Sequence, residues 1–491
     1  MGASILDDDD GKPSIAFLSG SEMALALITI LAFLIPAYML LPPFPPRRSD
    51  FLISTHSKVG VRTRRGREET VGKRRAKKTG DDPTKPRVQS LHIYPVKSCR
   101  GIEVARSRVL PQGLEYDRLF TFAQLKSPFP LSLDSSEAEQ TSHRWEFVTQ
   151  RQFPLLATVE VDLWLPDDEK WRRHGQSRVA PPAYLVMRFP WREEGRRGKW
   201  AAFQHKLGRG WRAEPEKEIV VPLLDFPIPA EEMKKRGYVY EDVKIWKDTV
   251  TALNVSAELP EELRLYLGVS NKLGLFRVDP NKLREVFRCA PREKEAGYQP
   301  VTGFQDAYSL HMITTDSVEQ FSKDVPKDEK LKELDRSRFR ANIILSGAPA
   351  YDEESWKKAR FRPGASELGN DAVFHVSCRT VRCKMPNVHP VTGERHAREP
   401  DRSLRALRAV DAGAPNMGCL GMQLTPLFFE DDDHDHDRGR SGSANEEKVK
   451  NAARSGLRGD DDDGDDDPYT WIAVGMEVDV EERGEHLYIK Q

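Results

Sequence analysis

The chain has 491 residues, with 76 basic and 77 acidic side chains and a formal net charge of -1. That length exceeds one average domain and leaves room for a large core, so two domains with additional segments are expected. Five scattered cysteines exclude a disulfide-stapled scaffold and suit a reducing compartment, while the near-balance of charge hides a basic N-terminal region and acidic runs near the C-terminus.

Residues 1–22 read as an acidic tail that includes Asp7 to Asp10. Met23 to Leu41 follows, MALALITILAFLIPAYMLL, a run without a charge. As a helix it spans about 28 Å, close to the hydrocarbon thickness, so a single transmembrane helix is expected there. Pro36 is tolerated inside such a segment, and Pro42, Pro43, Pro45 and Pro46 end it. Arg47 and Arg48 then orient the bulk of the chain toward the cytosol. A cleaved secretory signal lacks its basic n-region here, and no small-residue cleavage site follows. Residues 42–87 read as a basic flexible linker able to touch anionic lipid. Its RTRRGREE and GKRRAKK runs carry no aromatic interleaving, so no nucleic-acid partner is expected.

The body begins as a strand-rich module. Val88 to Val96, Val104 to Leu110, Leu119 to Ala123, Trp145 to Thr149 and Leu155 to Leu165 read as strands, the last with clear alternation. A barrel or sandwich is the expected arrangement, with Lys97, Arg118 and Arg151 at strand ends where cations meet phosphate. Arg178 to Val220 mixes short strands with polar turns, and Val243 to Asp248 is strand-like. Ser256 to Leu267 reads as helical, with leucines at 259, 263 and 267 on one face. Asn281 to Gly297 is a polar link. Ser309 to Thr315 is a strand running into a turn, and a helix opens near Val318. Arg336 to Leu345, RSRFRANIIL, brings Arg338, Arg340 and Asn342 to the start of an apolar strand.

Ser377 to Pro400 is the stretch with the most chemistry. Cys383 lies between Arg382 and Lys384, and positive neighbours favour the thiolate, the nucleophilic and soft-metal form. Pro386, Asn387, Pro390 and Gly393 read as turns, which puts the thiol on a strand end or loop. Arg402 to Arg408 is a short basic helix, and Cys419 in GCLGM reads as structural. Residues 430–467 are an acidic, disordered insertion whose His434 and His436 do not make a built metal site. Trp471 to Val480 returns to strand alternation.

Several of these segments carry a family likeness. YPVKSCRG (Tyr94 to Gly101), GLEYDRLF (Gly113 to Phe120) and VTQRQFP (Val148 to Pro154) resemble a MOSC-associated N-terminal β-barrel domain. RFRANIILSG (Arg338 to Gly347), YDEESW (Tyr351 to Trp356) and VRCKMPNVHPVTG (Val381 to Gly393) resemble the MOSC domain, with AVGMEVDV (Ala473 to Val480) as its closing strand. Together they resemble MOSC-domain proteins of the mitochondrial amidoxime reducing component type, in a fungal-like version. The resemblance implies a mainly β fold with some α. It places an N-terminal barrel over residues 88–297 and a MOSC barrel over 298–491, preceded by the anchor.

The resemblance also implies a molybdenum cofactor ligated by Cys383. Lys97, Arg118, Arg340 and Asn342 match positions around the pterin and its phosphate. Thr314 or Thr315 matches a hydroxyl of the same shell, with Ser98, Arg151 and Arg382 as further cofactor-shell candidates. The implied activity is reduction of N-hydroxylated compounds, amidoximes and hydroxylamines, with loss of water. The implied partners are a b-type haem cytochrome and its NADH-dependent flavoprotein reductase, at the mitochondrial outer membrane. Lys384 stands where an apolar residue is expected, and Val381 where animal proteins carry a hydroxyl, so the substrate pocket departs most from the pattern. A sulfur-handling or cofactor-carrying MOSC protein with a Cys383 persulfide is the alternative, and a silent membrane-displayed scaffold is the third. A full cofactor sulfurase needs a pyridoxal-phosphate lysine module upstream, and the sequence does not present one.

Overall fold

The computed structural model describes residues 5–7, 13–15, 19–40, 47–61, 85–128, 136, 142–173, 181–210, 214–364, 370–428 and 470–490. The acidic insertion 430–467, with His434 and His436, lies outside the described residues, as does most of the basic linker. The chain divides into two compact units. One holds Met1–Arg47 with Pro190–Glu216, and the other holds Arg48–Phe189 with Lys217–Gln491.

In the smaller unit, helix Gly20–Leu40 forms over the stretch expected to cross a membrane. That expectation is corrected: among the described residues no helix is long and apolar enough to cross a membrane. Side chains are described only as far as Pro36. The single-pass topology, the cytosol-facing orientation and the outer-membrane placement lose their basis with that span. The same unit contains helix Gly195–Arg209, where the sequence reading expected strands and turns. Its Lys/Arg-rich sequence offers no apolar period to betray a helix.

The larger unit holds two β-barrels. The smaller barrel closes five strands in the order Val239–Ile245, Asp248–Asn254, Leu273–Arg277, Phe120–Lys126 and Arg144–Phe147. Its interior is a cluster that includes Trp145, Phe147, Val243, Val250, Phe276 and Phe304. In the larger sheet, strands run Ile343–Ser346, Leu310–Thr314, Cys419–Leu427, Ala372–Val381, Trp356–Arg362, Glu477–Arg483 and Arg87–Ile93. An additional pairing of Arg87–Ile93 with Ile343–Ser346 closes this ring, and Ile102–Val104 hangs on its outside. Closure removes the exposed edges of a sheet built largely from apolar strands. Ala372–Val381, AVFHVSCRTV, shows why: it is buried along both faces, as β-branched and aromatic residues in a central strand require.

Local sequence sets the punctuation. Leu155 to Leu165 is not one strand, because Pro154 starts a 3-10 turn over Pro154–Thr158 and the strand runs Glu160–Pro166. Thr158 Oγ1 donates to Leu155 O at 2.7 Å and holds that turn. Pro260 similarly splits the expected helix into Ser256–Glu258 and Glu261–Leu267, which buries Leu263 and Leu267. Leu310–Thr314 and Ile343–Ser346 are parallel, so a crossover is required, and helix Thr315–Asp324 supplies it. Within the stretch read as a tether, His56–Lys58 pairs antiparallel with Trp164 to Pro166.

The strand Arg87–Ile93 therefore ties the N-terminal part of the large unit into the C-terminal barrel. Leu91 is fully buried and sits opposite both Ile343 and Val104. Leu91→Ala should cost about 2–5 kcal/mol of unfolding free energy. Urea denaturation followed by far-UV circular dichroism measures it, and a loss below about 1 kcal/mol would contradict this closure of the barrel.

Candidate functional site

The strands converge on a group of cations held between the two barrels. From the first segment, Lys97 is 5 % exposed, and its Nζ donates to Phe304 O at 2.7 Å and to Asp306 Oδ1 at 2.6 Å. Trp246 Nε1 donates to the same Asp306 oxygen at 3.1 Å. Arg151 lies over the Trp246 ring, 4.6 Å from its centroid. Asp306 thus collects Lys97 and Trp246, yet half of its side chain remains open to solvent. Its partial desolvation raises its affinity for a proton, but the charge and hydrogen bond of Lys97 outweigh that and hold the carboxyl well below the usual range.

A second set comes from the larger barrel and its approach loops. Tyr94 is buried between two guanidiniums, with Arg118 4.6 Å and Arg340 4.2 Å from its ring centroid. Arg118 pairs with the buried Asp117 carboxylate and donates from Nη2 to Arg340 O at 3.3 Å. Arg382, 8 % exposed, donates from Nη2 to Phe339 O at 3.0 Å, and its Nη1 lies 3.4 Å from His311 Nε2. Burial first, then Arg382 and Arg118, hold His311 well below its usual pKa, so its ring is neutral and accepts from Arg382. Gly421 makes room for that ring. Its φ is +82°, and a Cβ there would stand 2.7 Å from His311 Nε2 and 2.5 Å from Met312 O.

The cations outnumber their partners. Arg338, Arg340 and Arg382 have no carboxylate within ion-pair distance among the described residues. Arg340 Nη2, Arg382 Nε, Arg338 Nε, Arg151 Nε and the Ser98 hydroxyl are buried without a hydrogen-bond partner among the described residues. Burial lowers the pKa of both Arg340 and Arg382. Unpaired buried charge costs several kcal/mol, so such a group fits an anion that supplies the missing acceptors. Backbone strain gathers here too. Four of the seven described non-glycine residues with positive φ are Ser98 (70°), Arg118 (50°), Trp246 (56°) and Arg340 (53°). Each such conformation costs about 1–3 kcal/mol and persists where surrounding structure enforces it.

Cys383 directly follows Arg382 in the loop after Ala372–Val381, and it is half-buried and free of any disulfide. The loop that follows is fastened to the smaller barrel. Gln150 Nε2 donates to Met385 O at 3.4 Å, and Arg395 donates to Arg151 O. Lys97, Ser98, Arg118, Arg151, Arg340 and Arg382 therefore belong to one constellation with this loop.

Asn342 has a different task. Its Oδ1 accepts from His311 N at 3.2 Å and its Nδ2 donates to His92 O at 3.1 Å, so its amide clamps strands. Thr314 caps the crossover helix, accepting from Ser317 N at 3.2 Å and donating toward Glu353. Thr315 Oγ1 bonds Gln89 Oε1 and Leu345 O. None of the partners of these two threonines belongs to the cation group. Sequence reasoning did not single out Tyr94, Trp246, Asp306 or His311. Only Tyr94 lay inside a quoted motif; the others sit in polar turns or on an apolar strand with nothing local to mark them.

No group of three or more His, Cys, Asp or Glu side chains among the described residues is arranged to hold a metal ion. The donor set is cationic with one thiol, which fits a cofactor that brings its own metal ligands and an anionic tail, rather than a free ion.

Comparison with known proteins agrees with the architecture. Residues 85–178 match the MOSC N-terminal beta barrel domain and residues 299–426 match the MOSC domain. The chain is 24 % identical over 329 residues to a molybdenum cofactor sulfurase of Oryza sativa subsp. japonica, covering 65 % of this chain and 31 % of that protein. It is 22 % identical over 319 residues to the Homo sapiens molybdenum cofactor sulfurase, covering 63 % and 27 %. The mitochondrial amidoxime-reducing component 1 of Mus musculus is 21 % identical over 329 residues, covering 66 % and 72 %. The chain spans less than a third of the length of the two sulfurases. The expected membrane-held partnership with a b-type haem cytochrome and a flavoprotein reductase is corrected along with the anchor. The described residues contain no helix able to cross a membrane, and the relatives' names state neither partner.

Two outcomes follow from this electrostatic arrangement. Arg340→Met removes a buried, uncompensated cation, so the thermal midpoint in phosphate-free buffer should stay equal or rise. Inorganic phosphate should raise the wild-type midpoint and leave the variant's unmoved in a thermal-shift titration; equal responses would contradict an anion site at Arg340. The second outcome concerns acid. Burial, then Arg336, pushes His92 down to about 4, and His311 is lowered too. Depressed histidines favour the fold above their unfolded pKa of about 6.5, and that contribution is lost as pH falls from there toward the folded value. Urea unfolding should therefore show about 1–2 kcal/mol less stability per buried histidine at pH 5 than at pH 7.5. A flat profile over that interval would be incompatible with neutral burial.

Proposed function

Starting from a chain that carries both MOSC-family domains, we propose that it is a molybdenum-cofactor-dependent oxidoreductase that reduces N-hydroxylated compounds such as amidoximes and hydroxylamines. The observation that carries this reading is the group of buried guanidinium and hydroxyl donors without acceptors beside a half-buried thiol. Cys383 would ligate the metal as a thiolate, a soft ligand suited to it. Arg340, Arg382, Arg118 and Ser98 would hold the anionic pterin and phosphate through charge-assisted hydrogen bonds. When bound, the cofactor supplies two-electron oxygen-atom chemistry, and electrons come from an external donor.

The chain's own residues handle binding and protonation. Asp306, half-open and ionised, together with Lys97 and Trp246 makes a polar wall that orients a small substrate bearing N–H and O–H donors. The neutral His311 ring accepts from Arg382 and fixes that guanidinium's plane, so its free Nε proton has a defined direction. Asn342 keeps the strand that carries His311 at a fixed spacing from strand Arg87–Ile93.

A second reading, sulfur handling through a Cys383 persulfide, is favoured by the names of the two sulfurases and by the partial exposure of the thiol. One experiment separates the two. Wild type and Cys383→Ala are made in a host that synthesises the cofactor, and molybdenum, pterin and bound sulfane sulfur are quantified. The proposal expects about one molybdenum per wild-type chain. It also expects reduction of a simple amidoxime with reduced viologen as electron source, with a rate at least about 100-fold lower in the variant. A folded wild type free of both molybdenum and pterin, with persulfide on Cys383, would transfer the assignment to sulfur handling.

A further inference from the structure

Away from the cation group, the described residues contain a second cluster of reactive side chains. Cys378, fully buried on strand Ala372–Val381, packs with Val286 and Tyr308, and Cys289, Ala290, Ala307 and Tyr488 close over them. The two cysteines come from distant parts of the sequence: Cys378 lies on a barrel strand, and Cys289 lies in the link before the second MOSC segment. Cys289 is half-buried, next to Arg288 at φ +68°, so it is the member of the pair that solvent reaches.

The Cys289 thiol is also a fastening for the C-terminal tail. Its Sγ lies 3.5 Å from Leu487 O and accepts from Ile489 N at 3.4 Å. The neighbouring tail contacts are Tyr488 N to Asp411 Oδ1 at 2.9 Å and Arg379 Nη1 to His486 O at 2.9 Å. One sulfur thus touches the tail at two positions, Leu487 and Ile489, beyond His486, which Trp356 O and Arg379 hold separately. The Cys378 thiol packed beside it, aided by the Tyr308 hydroxyl and the Ile489 amide, lowers Cys289 to about 6 while Cys378 is raised. The proton of the pair resides on the buried sulfur, and the accessible one has thiolate character at neutral pH.

We propose that Cys289 and Cys378 form a peroxide-responsive dithiol whose reversible oxidation to a disulfide loosens the C-terminal tail. In the first step the Cys289 thiolate attacks one oxygen of hydrogen peroxide, the O–O bond breaks, and hydroxide leaves with a proton as water. Cys289 becomes a sulfenic acid, oxidised by two electrons. In the second step the Cys378 sulfur attacks the Cys289 sulfur, the S–O bond breaks, and the hydroxide takes the Cys378 proton as a second water. The sum is two thiols and one peroxide giving one disulfide and two waters. The thiolate sulfur accepts strongly from Ile489 N, whereas a disulfide sulfur accepts poorly, so oxidation weakens that hold on the tail. Neither cysteine takes part in the cofactor reading, so this proposal stands or falls apart from it.

The test uses the full chain, reduced, exposed to graded hydrogen peroxide, then alkylated and mapped by peptide mass spectrometry. The expected product is a Cys289–Cys378 linked peptide lacking two hydrogen atoms and cleaved again by a phosphine, with faster amide hydrogen exchange at residues 486–489. Cys289→Ser, at a half-buried position, should abolish both the linkage and the peroxide effect on exchange. In Cys378→Ala, Cys289 should proceed past sulfenic to sulfinic acid. Cys378 remaining alkylatable in wild type while Cys289 reaches sulfinic acid would overturn the dithiol. So would linkage of either residue to Cys383, and a linked pair with unchanged exchange at Ile489 would overturn the release of the tail.

Discussion

Buried positive charge without enough negative charge to meet it is the constraint on which the larger unit turns. Arg338, Arg340 and Arg382 sit in the interior with no carboxylate within ion-pair distance among the described residues, and several of their N–H groups find no acceptor. A fold rarely keeps such groups for stability, because well-packed apolar residues of similar volume would serve it as well or better. Their retention makes physical sense when an anionic ligand completes the hydrogen bonding. The positive φ angles at Ser98, Arg118, Trp246 and Arg340 belong to the same bargain, since they aim side chains that relaxed backbone would send elsewhere.

The two barrels share the labour. The smaller one contributes Lys97, Arg151 and Trp246 from its mouth, and the larger one contributes Arg340, Arg382 and His311 from strands and strand ends. Asp306 lies on the segment between them and accepts from both Lys97 and Trp246. Because Arg87–Ile93 completes the larger ring, the chain cannot form that barrel without its first half. The site is therefore coupled to closure of the whole unit rather than built on either barrel alone.

Much of this was legible in the order of residues, and the reasons differ by element. The alternation read over Leu155 to Leu165 marks the strand that runs Glu160–Pro166, although its start was set too early. Arg340, Arg382 and Cys383 were proposed because each stands in a motif with a family likeness. Asp306 was not, because one carboxylate in a polar turn looks like any surface charge until the fold presses Lys97 against it. Thr314 and Thr315 entered through the family likeness; in the structure Thr314 caps a helix and Thr315 ties a strand. The uncharged run near the N-terminus illustrates the opposite error. Its length and lack of charge read as a span, whereas among the described residues no helix is long and apolar enough to cross a membrane. The Cys289 and Cys378 contact is invisible to spacing altogether, since only tertiary packing joins them.

The most direct check of the central claim is anomalous diffraction at the molybdenum edge from crystals of the full chain purified from a cofactor-producing host. The account predicts a single anomalous peak within bonding distance of Cys383 Sγ, with cofactor density whose phosphate meets the free N–H groups of Arg340 and Arg382. A peak bound elsewhere, or phosphate density that leaves those guanidiniums unpartnered, would contradict the assignment of the buried cations to an anionic cofactor.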